Sequence, residues 1–102
     1  MSTLHTVNKS PFATGTLLSC LNHCQDGDAV LMIEDGVYGG MLGTAVAHEV
    51  ATRAGSVSIF VLTPDSEARG LSLDRMIEGV RGIDYNEFVD LVVEHDRSQA
   101  WL

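Results

Sequence analysis

The chain has 102 residues, about the size of one ordinary domain, and a chain of this length can bury a substantial core without disulfides or metal. Six basic side chains stand against 14 acidic ones, and the formal net charge of -8 excludes the positive surface that independent binding to nucleic acid or an anionic membrane requires. The sequence shows neither a secretory signal pattern nor an apolar run of about 18 residues. We therefore expect one cytoplasmic domain over residues 1–102, without direct contact to nucleic acid or membrane.

The hydrophobic pattern predicts strands that alternate with helices along the chain. Ser10 is the predicted cap of the first helix, Asp35 that of the second, and Asp84 with Glu87 forms a capping-box pattern before the last. The predicted strands cover residues 2–7, 29–33, 56–62 and 80–83, and the predicted helices cover 11–25, 37–54 and 85–96, with one or two helical turns at 66–71. The tail 97–102 is too short to assign. This order predicts an α/β fold with a mainly parallel sheet of four or five strands and helices on both faces.

The glycine-rich stretch "DGVYGGMLG", residues 35–43, follows a predicted buried strand and opens a predicted helix, as a phosphate-binding loop would. Its spacing fits neither GxGxxG nor GxxxxGK[ST], and no lysine stands nearby to meet a phosphate. The pattern favours glycines that allow close packing, and we expect no nucleotide or other cofactor.

The acidic residues Asp26, Asp28, Glu34 and Asp35 flank predicted turns and helix starts, where Asp is expected for local reasons. They are interpreted as solvated caps rather than as an acid–base pair. The other polar candidates are three histidines that are dispersed in sequence, form no motif and are interpreted as ordinary surface or core residues: His5, His48 and His95.

The stretch "SCLNHC" holds both cysteines of the chain, Cys20 and Cys24, with His23 between them. At about 100° per residue on a helix, Leu17, Leu21 and Cys24 share a narrow arc that should face the core. Cys20 lies at the margin of that arc, near the polar face. The pattern therefore predicts Cys20 as the more accessible thiol and Cys24 as a small buried hydrophobe.

The chemistry of this stretch has several alternatives. Cys20, His23 and Cys24 could supply three zinc ligands, but one helix rarely wraps them around a tetrahedral metal, so no metal is expected. A disulfide across one helical turn would have unfavourable geometry. Thiolates are favoured at helix N-termini or beside cations, whereas these thiols precede Asp26 and Asp28, which should raise the pKa of both. A thiol without chemistry and a Cys20 that is activated by a partner's charges both stay open.

Five strings in this order resemble the DsrH/TusB family of small sulfur-relay proteins. They are "LHTVNKSPF", "DGDAVLMIEDGV", "VLTPDSEARGL", "IDYNEFVDLVVEH" and the near-terminal "QAW". The resemblance runs nearly end to end and implies a DsrE-like three-layer fold.

The resemblance implies a cytoplasmic subunit of a sulfurtransferase complex that hands sulfur between cysteine persulfides. Its partners would be homologous DsrE/TusD-like and DsrF/TusC-like subunits in a heterohexamer, a TusA-like or rhodanese-like donor, and a DsrC/TusE-like acceptor. The main active cysteine would lie on a partner subunit, and Cys20 would be a persulfide carrier at the family's first-helix position. Retention of that thiol favours intracellular sulfur oxidation. The alternatives are a non-catalytic docking subunit and a relay for 2-thiolation of the tRNA wobble uridine.

Overall fold

A computed structural model describes all residues, 1–102, and its centre is a five-stranded sheet. The strands are β1 (Thr3–Val7), β2 (Ala29–Met32), β3 (Ser58–Leu62), β4 (Val80–Ile83) and β5 (Arg97–Trp101). Their order across the sheet is β4-β3-β2-β1-β5, and every neighbouring pair is parallel. The predicted α/β class with a parallel sheet is confirmed.

Four α-helices and two short 3-10 helices connect the strands. The α-helices are α1 (Thr16–His23), α2 (Ala47–Arg53), α3 (Thr63–Ala68) and α4 (Tyr85–Glu94), and the 3-10 helices cover Glu34–Gly40 and Leu73–Arg75. No helix is long and apolar enough to cross a membrane.

Two hydrophobic clusters cover opposite faces of the sheet, because alternate residues of each strand point to opposite sides. The larger cluster joins the β1 side chain Val7 to Leu17 and Cys20 of α1 and to Val50 of α2. The smaller cluster contains Leu4, Leu31, Phe60 and Ile83, with Phe88 and Leu91 of α4 packed against it. Helices therefore lie on both faces, and the three-layer arrangement is confirmed.

The first predicted helix is wrong at both ends. The Ser10 side chain accepts a hydrogen bond from the backbone N–H of Phe12, and this contact closes a local turn instead of starting a helix. Helix α1 begins only at Thr16 and ends at His23, since Cys24 adopts an extended backbone with φ -64° and ψ 145°. The helix is thus much shorter than the predicted residues 11–25.

The second predicted helix, residues 37–54, is interrupted. Its glycine-rich first half forms the 3-10 helix Glu34–Gly40, and Gly43 follows with φ +82°, which ends any continuous helix. Only Ala47–Arg53 is α-helical. Asp35 does not cap this region, because it lies inside the 3-10 helix and its carboxylate accepts a hydrogen bond from Arg69.

The unassigned tail forms β5, an edge strand beside β1. The pairing runs from Thr3 opposite Arg97 to Val7 opposite Trp101. This strand closes the sheet on the side away from β4 and carries Trp101 back toward the first strand.

The capping box of α4 is confirmed, and its removal should be measurable. The Asp84 carboxylate accepts from the Glu87 backbone N–H at 2.8 Å, and the Glu87 carboxylate accepts from the Asp84 N–H at 3.1 Å. Asp84→Ala should lower the free energy of unfolding by about 1 kcal/mol in chemical denaturation. The matched control is Asp90→Ala on the same helix, which should change it by no more than about 0.5 kcal/mol. Equal losses in the two variants would contradict a specific role for the cap.

Candidate functional site

The two cysteines lie at the C-terminal end of α1 and are both buried, so the predicted burial of Cys24 is confirmed and the predicted accessibility of Cys20 is wrong. Cys20 is fully buried at 0% exposure, whereas Cys24 retains 7%. The helical phase failed because α1 stops at His23, so Cys24 occupies the first extended position and no longer follows the 100° spacing. Cys20 instead lies on the buried face of the helix with Leu17 and Leu21. Cys24 is the edge thiol and Cys20 the core thiol.

Both thiols are free, and they form a tight cluster with the side chain of His5. The two sulfur atoms and one ring nitrogen of His5 all lie within 4.8 Å of one another. The hydrogen bond to Cys24, with burial, raises the pKa of Cys20 far above its ordinary value. The same hydrogen bond lowers the pKa of Cys24. Of the two thiols, Cys24 is therefore the one that ionises more readily, while Cys20 is held in the protonated form.

Arg53, the last residue of α2, supplies a positive charge beside Cys24. Its Nη2 donates a 2.8 Å hydrogen bond to the Cys24 carbonyl oxygen, while its Nε is buried without a partner. The Arg53 charge acts to lower the pKa of Cys24, against burial and Asp28, which act to raise it. The sequence predicted a raised pKa for both thiols, and for Cys24 that prediction is wrong because Cys20 and, from a distant part of the chain, Arg53 both act to lower it.

His5 is held at both ring nitrogens. The Trp101 indole N–H donates to His5 Nδ1 at 3.0 Å, and His5 Nε2 lies 3.0 Å from the Asp28 carboxylate. Because an indole nitrogen can only donate, Nδ1 must be the acceptor and Nε2 must carry the proton that is donated to Asp28. His23 completes the group, with its ring 6.2 Å from that of His5 and 5.6 Å from that of Trp101. The network fixes one neutral tautomer of His5.

Asp28 is the hub of this network, although the sequence analysis interpreted it as a solvated cap. It is buried and accepts hydrogen bonds from the backbone N–H groups of Thr3 and Gln25 as well as from His5. Burial acts to raise the pKa of Asp28, but these hydrogen bonds outweigh burial and hold the pKa below its ordinary value. A single carboxylate thereby ties together the start of β1, the end of α1 and the start of β2.

A polar cleft of about 280 Å³ opens beside this network. It lies at the amino ends of β1 and β5, and its walls include His5, His23, Gln25, Asp28, Arg97 and Gln99. His23 and Gln25, the two chain neighbours of Cys24, line the cleft, whereas neither cysteine does.

The cluster of Cys20, Cys24 and His5 does not make a good metal centre. Zinc sites with three protein ligands need a histidine nitrogen with a free lone pair. Nδ1 of His5 is occupied by Trp101, and Nε2 carries the proton bonded to Asp28. Metal binding would cost one of these two buried hydrogen bonds, and His23, the ligand considered from the sequence, is not part of the cluster.

Apart from His5 and Asp28, the polar residues considered from the sequence lie outside the cysteine cluster. His48 is exposed on α2, and His95 follows α4, where its ring lies 2.7 Å from the Leu91 carbonyl. Asp26 is exposed in a turn, and Glu34 is exposed at the start of the first 3-10 helix. Alternate residues of a strand point to the same face, so Thr3, His5 and Val7 of β1 share one face. This alternation was the sequence signal that could have placed His5 in the core.

Three of the four glycines in residues 35–43 pack tightly, as predicted: Gly36, Gly39 and Gly40. A Cβ on Gly36 would lie 2.1 Å from the Val7 carbonyl oxygen, and one on Gly39 would lie 2.5 Å from a Leu17 methyl group. These glycines let the 3-10 helix approach the ends of β1 and α1.

Comparisons with known proteins agree along nearly the whole chain. The family model described as DsrH like protein matches residues 9–98. Protein TusB of Pectobacterium parmentieri is 40% identical over 98 residues, which cover 96% of this chain and 99% of that protein. Protein TusB of Escherichia coli (strain SMS-3-5 / SECEC) is 34% identical with the same coverage.

Among solved structures, the ychN protein from E. coli superposes with a TM-score of 0.80 at 19% identity, covering 98% of this chain and 99% of that one. This match shows the DsrE-like fold. The family model and the identities above establish that the chain belongs to the DsrH/TusB family of sulfur-relay proteins.

Proposed function

We propose that the chain is a cytoplasmic subunit of a sulfurtransferase complex and that Cys20 carries sulfur as a persulfide. The observation that carries this proposal is the pair of free thiols at the end of α1, with sulfur atoms within 4.8 Å of each other. Two thiols this close allow sulfur to be exchanged between them, and the fully buried Cys20 offers a position protected from solvent. Persulfide sulfur at such a site is shielded from reductants and oxidants.

Assembly with other subunits has support in the surface of α4. Tyr85, Val89, Val92 and Val93 form an exposed apolar stripe at helical spacing, and Val93 is 78% exposed. Contiguous apolar surface of this kind is typical of protein interfaces. The partners proposed are homologous DsrE/TusD-like and DsrF/TusC-like subunits in a heterohexamer, with a TusA-like or rhodanese-like donor and a DsrC/TusE-like acceptor.

The pathway proposed is the relay for tRNA wobble-uridine thiolation. Cys20 at the first-helix position, taken alone, favours sulfur oxidation instead. The similar proteins named above are TusB proteins, and this favours the tRNA branch over sulfur oxidation. With a net charge of -8, the chain would act on a protein acceptor rather than touch the tRNA itself.

A docking subunit without chemistry of its own is the second candidate. The complete burial of Cys20 and the raised pKa of its thiol favour this alternative, because a macromolecular donor cannot reach such a thiol directly. In that case the chain would only shape the site on a neighbouring subunit.

Intact-mass spectrometry of the reconstituted complex distinguishes a sulfur-carrying subunit from a docking subunit. After loading with glutathione persulfide, this chain should gain the mass of one sulfur atom, and dithiothreitol should remove it. Fragmentation of the peptide that holds both cysteines should place the added sulfur at rest on Cys20. The gain should be absent from the double variant Cys20→Ser/Cys24→Ser, because no other cysteine is present in the chain.

The carrier role is wrong if only a partner subunit gains sulfur and the double variant transfers sulfur to the acceptor at the wild-type rate. The docking role would then stand. Circular dichroism of the double variant serves as the control for folding.

A further inference from the structure

We infer that Cys24 is the thiol through which sulfur enters and leaves Cys20, and that Arg53 positions and stabilises the Cys24 sulfur as its counter-ion. This inference rests on the proposed function and adds to it the entry residue and its positioning residue. Cys24 was interpreted from the sequence as a packing residue only.

Access is the first argument for Cys24. Of the two thiols only Cys24 retains exposure, at 7% against 0% for Cys20. It lies just beyond the end of α1, between two residues, His23 and Gln25, that line the polar cleft of about 280 Å³. Neither cysteine lines the cleft itself, so the access argument rests on the residual exposure of Cys24 and on its two neighbours in the cleft wall.

Positive charge is the second argument. The Arg53 guanidinium is fixed by its 2.8 Å hydrogen bond to the Cys24 carbonyl oxygen, and its Nε is buried with no partner. A buried, unpaired donor on a cation is costly unless an anion meets it. No acidic side chain forms an ion pair with Arg53. Because Arg53 already bonds the Cys24 carbonyl oxygen, a thiolate or persulfide anion on Cys24 is the anion best placed to meet its charge.

The charges around Cys24 come from every element packed against it. Arg53 on α2 and the S–H of Cys20 on α1 favour the thiolate, whereas Asp28 before β2 disfavours it. His5 on β1 is neutral with both nitrogens bonded, so it is not the base. The lowered pKa of Cys24 agrees with this balance.

The first chemical step needs no oxidant. The Cys24 thiolate attacks the outer sulfur of the donor persulfide, and a bond forms between Cys24 Sγ and that sulfur. The S–S bond of the donor breaks, and its electron pair leaves on the donor's inner sulfur as a thiolate. Cys24 then carries the persulfide.

The second step uses the proximity of the two sulfur atoms, which lie within 4.8 Å of each other. The Cys20 sulfur attacks the outer sulfur of the Cys24 persulfide, and the S–S bond at Cys24 breaks with its electron pair on Cys24 Sγ. The Cys20 proton is transferred to the neighbouring Cys24 sulfur, since the two sulfur atoms lie within 4.8 Å of each other. The products are a Cys20 persulfide and a Cys24 thiol, and the reverse steps release the sulfur to an acceptor.

Single-cysteine variants of the reconstituted complex test the entry role, with glutathione persulfide as the probe. Cys24→Ser should slow sulfur loading of this chain at least about tenfold, because the buried Cys20 has no other route to a donor. Cys20→Ser should still gain one sulfur atom, now on Cys24, and cyanide should remove that sulfur faster than from the wild type. If circular dichroism shows that the serine variant is unfolded, Cys24→Ala, which adds no hydroxyl group, repeats the test.

The Arg53 test uses the pH profile of iodoacetamide alkylation in the Cys20→Ser background, where Cys24 is the single thiol. Arg53→Gln removes the cation that favours the thiolate, so the midpoint of alkylation should rise by about one pH unit. Arg53→Lys keeps the positive charge, so its alkylation midpoint should stay close to that of the Cys20→Ser variant that retains Arg53. A merely structural role would move folding stability and not this midpoint.

The outcomes separate the inference from the proposed function. If Cys24→Ser loads at the wild-type rate, Cys20 receives sulfur directly, and the inference is wrong while the proposed function stands. If the midpoint does not move in Arg53→Gln, Arg53 is not the counter-ion. If the wild-type chain gains no sulfur at all, the proposed function fails and the inference fails with it.

Discussion

Replacing Asp28 by alanine is expected to lower the free energy of unfolding by about 3 to 5 kcal/mol. The carboxylate is buried and accepts three hydrogen bonds, from His5 Nε2 and from the backbone N–H groups of Thr3 and Gln25. Alanine would leave all three donors without a partner inside the protein, and an unsatisfied buried donor costs its full desolvation penalty. Urea denaturation followed by circular dichroism measures the loss.

Asp26→Ala is the matched control for this prediction, because Asp26 is exposed in the same turn and makes no hydrogen bond through its side chain. It should change the free energy of unfolding by no more than about 0.5 kcal/mol. Similar losses in the two variants would show that the turn, and not the buried network, responds to the substitution.

The contribution of Asp28 should also depend on pH in a defined direction. Its pKa in the folded state is lower than in the unfolded chain, so the unfolded chain binds the proton more tightly. The stabilisation is therefore fully present above the ordinary carboxyl pKa of about 4 and is lost as the pH falls through the lower folded-state value. The stability difference between the wild type and Asp28→Asn should be constant near neutral pH and should shrink below about pH 4. A difference that grows on acidification would contradict this assignment.

Local patterns predicted the strands of this fold well, because their signal is contained in each segment. The apolar run 29–33 is β2 within one residue, and residues 80–83 are β4 without change. The capping box at Asp84 and Glu87 also needs only neighbours in sequence, and it is present with both hydrogen bonds. Parallel pairing then followed from the alternation of strands and helices.

The site could not be predicted to the same degree, since its contacts join distant parts of the chain. His5 and Asp28 are 23 residues apart, and His5 and Trp101 are 96 residues apart. Trp101 reaches His5 only because the tail pairs with β1, and "RSQAW" shows no strong strand pattern of its own. The exposures of Cys20 and Cys24 depended on a helix end that the sequence placed two residues too late, at residue 25 instead of 23.

Replacing Gly36 by alanine is the other substitution with a large expected effect, a loss of at least about 3 kcal/mol in the free energy of unfolding. The added Cβ would lie 2.1 Å from the carbonyl oxygen of Val7 and 2.9 Å from its carbonyl carbon, and backbone atoms cannot turn away as a side chain can. The 3-10 helix would have to move off the end of β1, which disturbs the N–H of Ile33 bonded to the same Val7 oxygen at 3.0 Å. Gly55→Ala is the matched control, because its Cβ would meet only one atom, at 3.9 Å, and its stability should stay within about 1 kcal/mol of the wild type. Thermal and urea unfolding of the two variants side by side decide the matter, and a Gly36→Ala protein as stable as Gly55→Ala would mean that this glycine is not needed for the close approach of the 3-10 helix to β1.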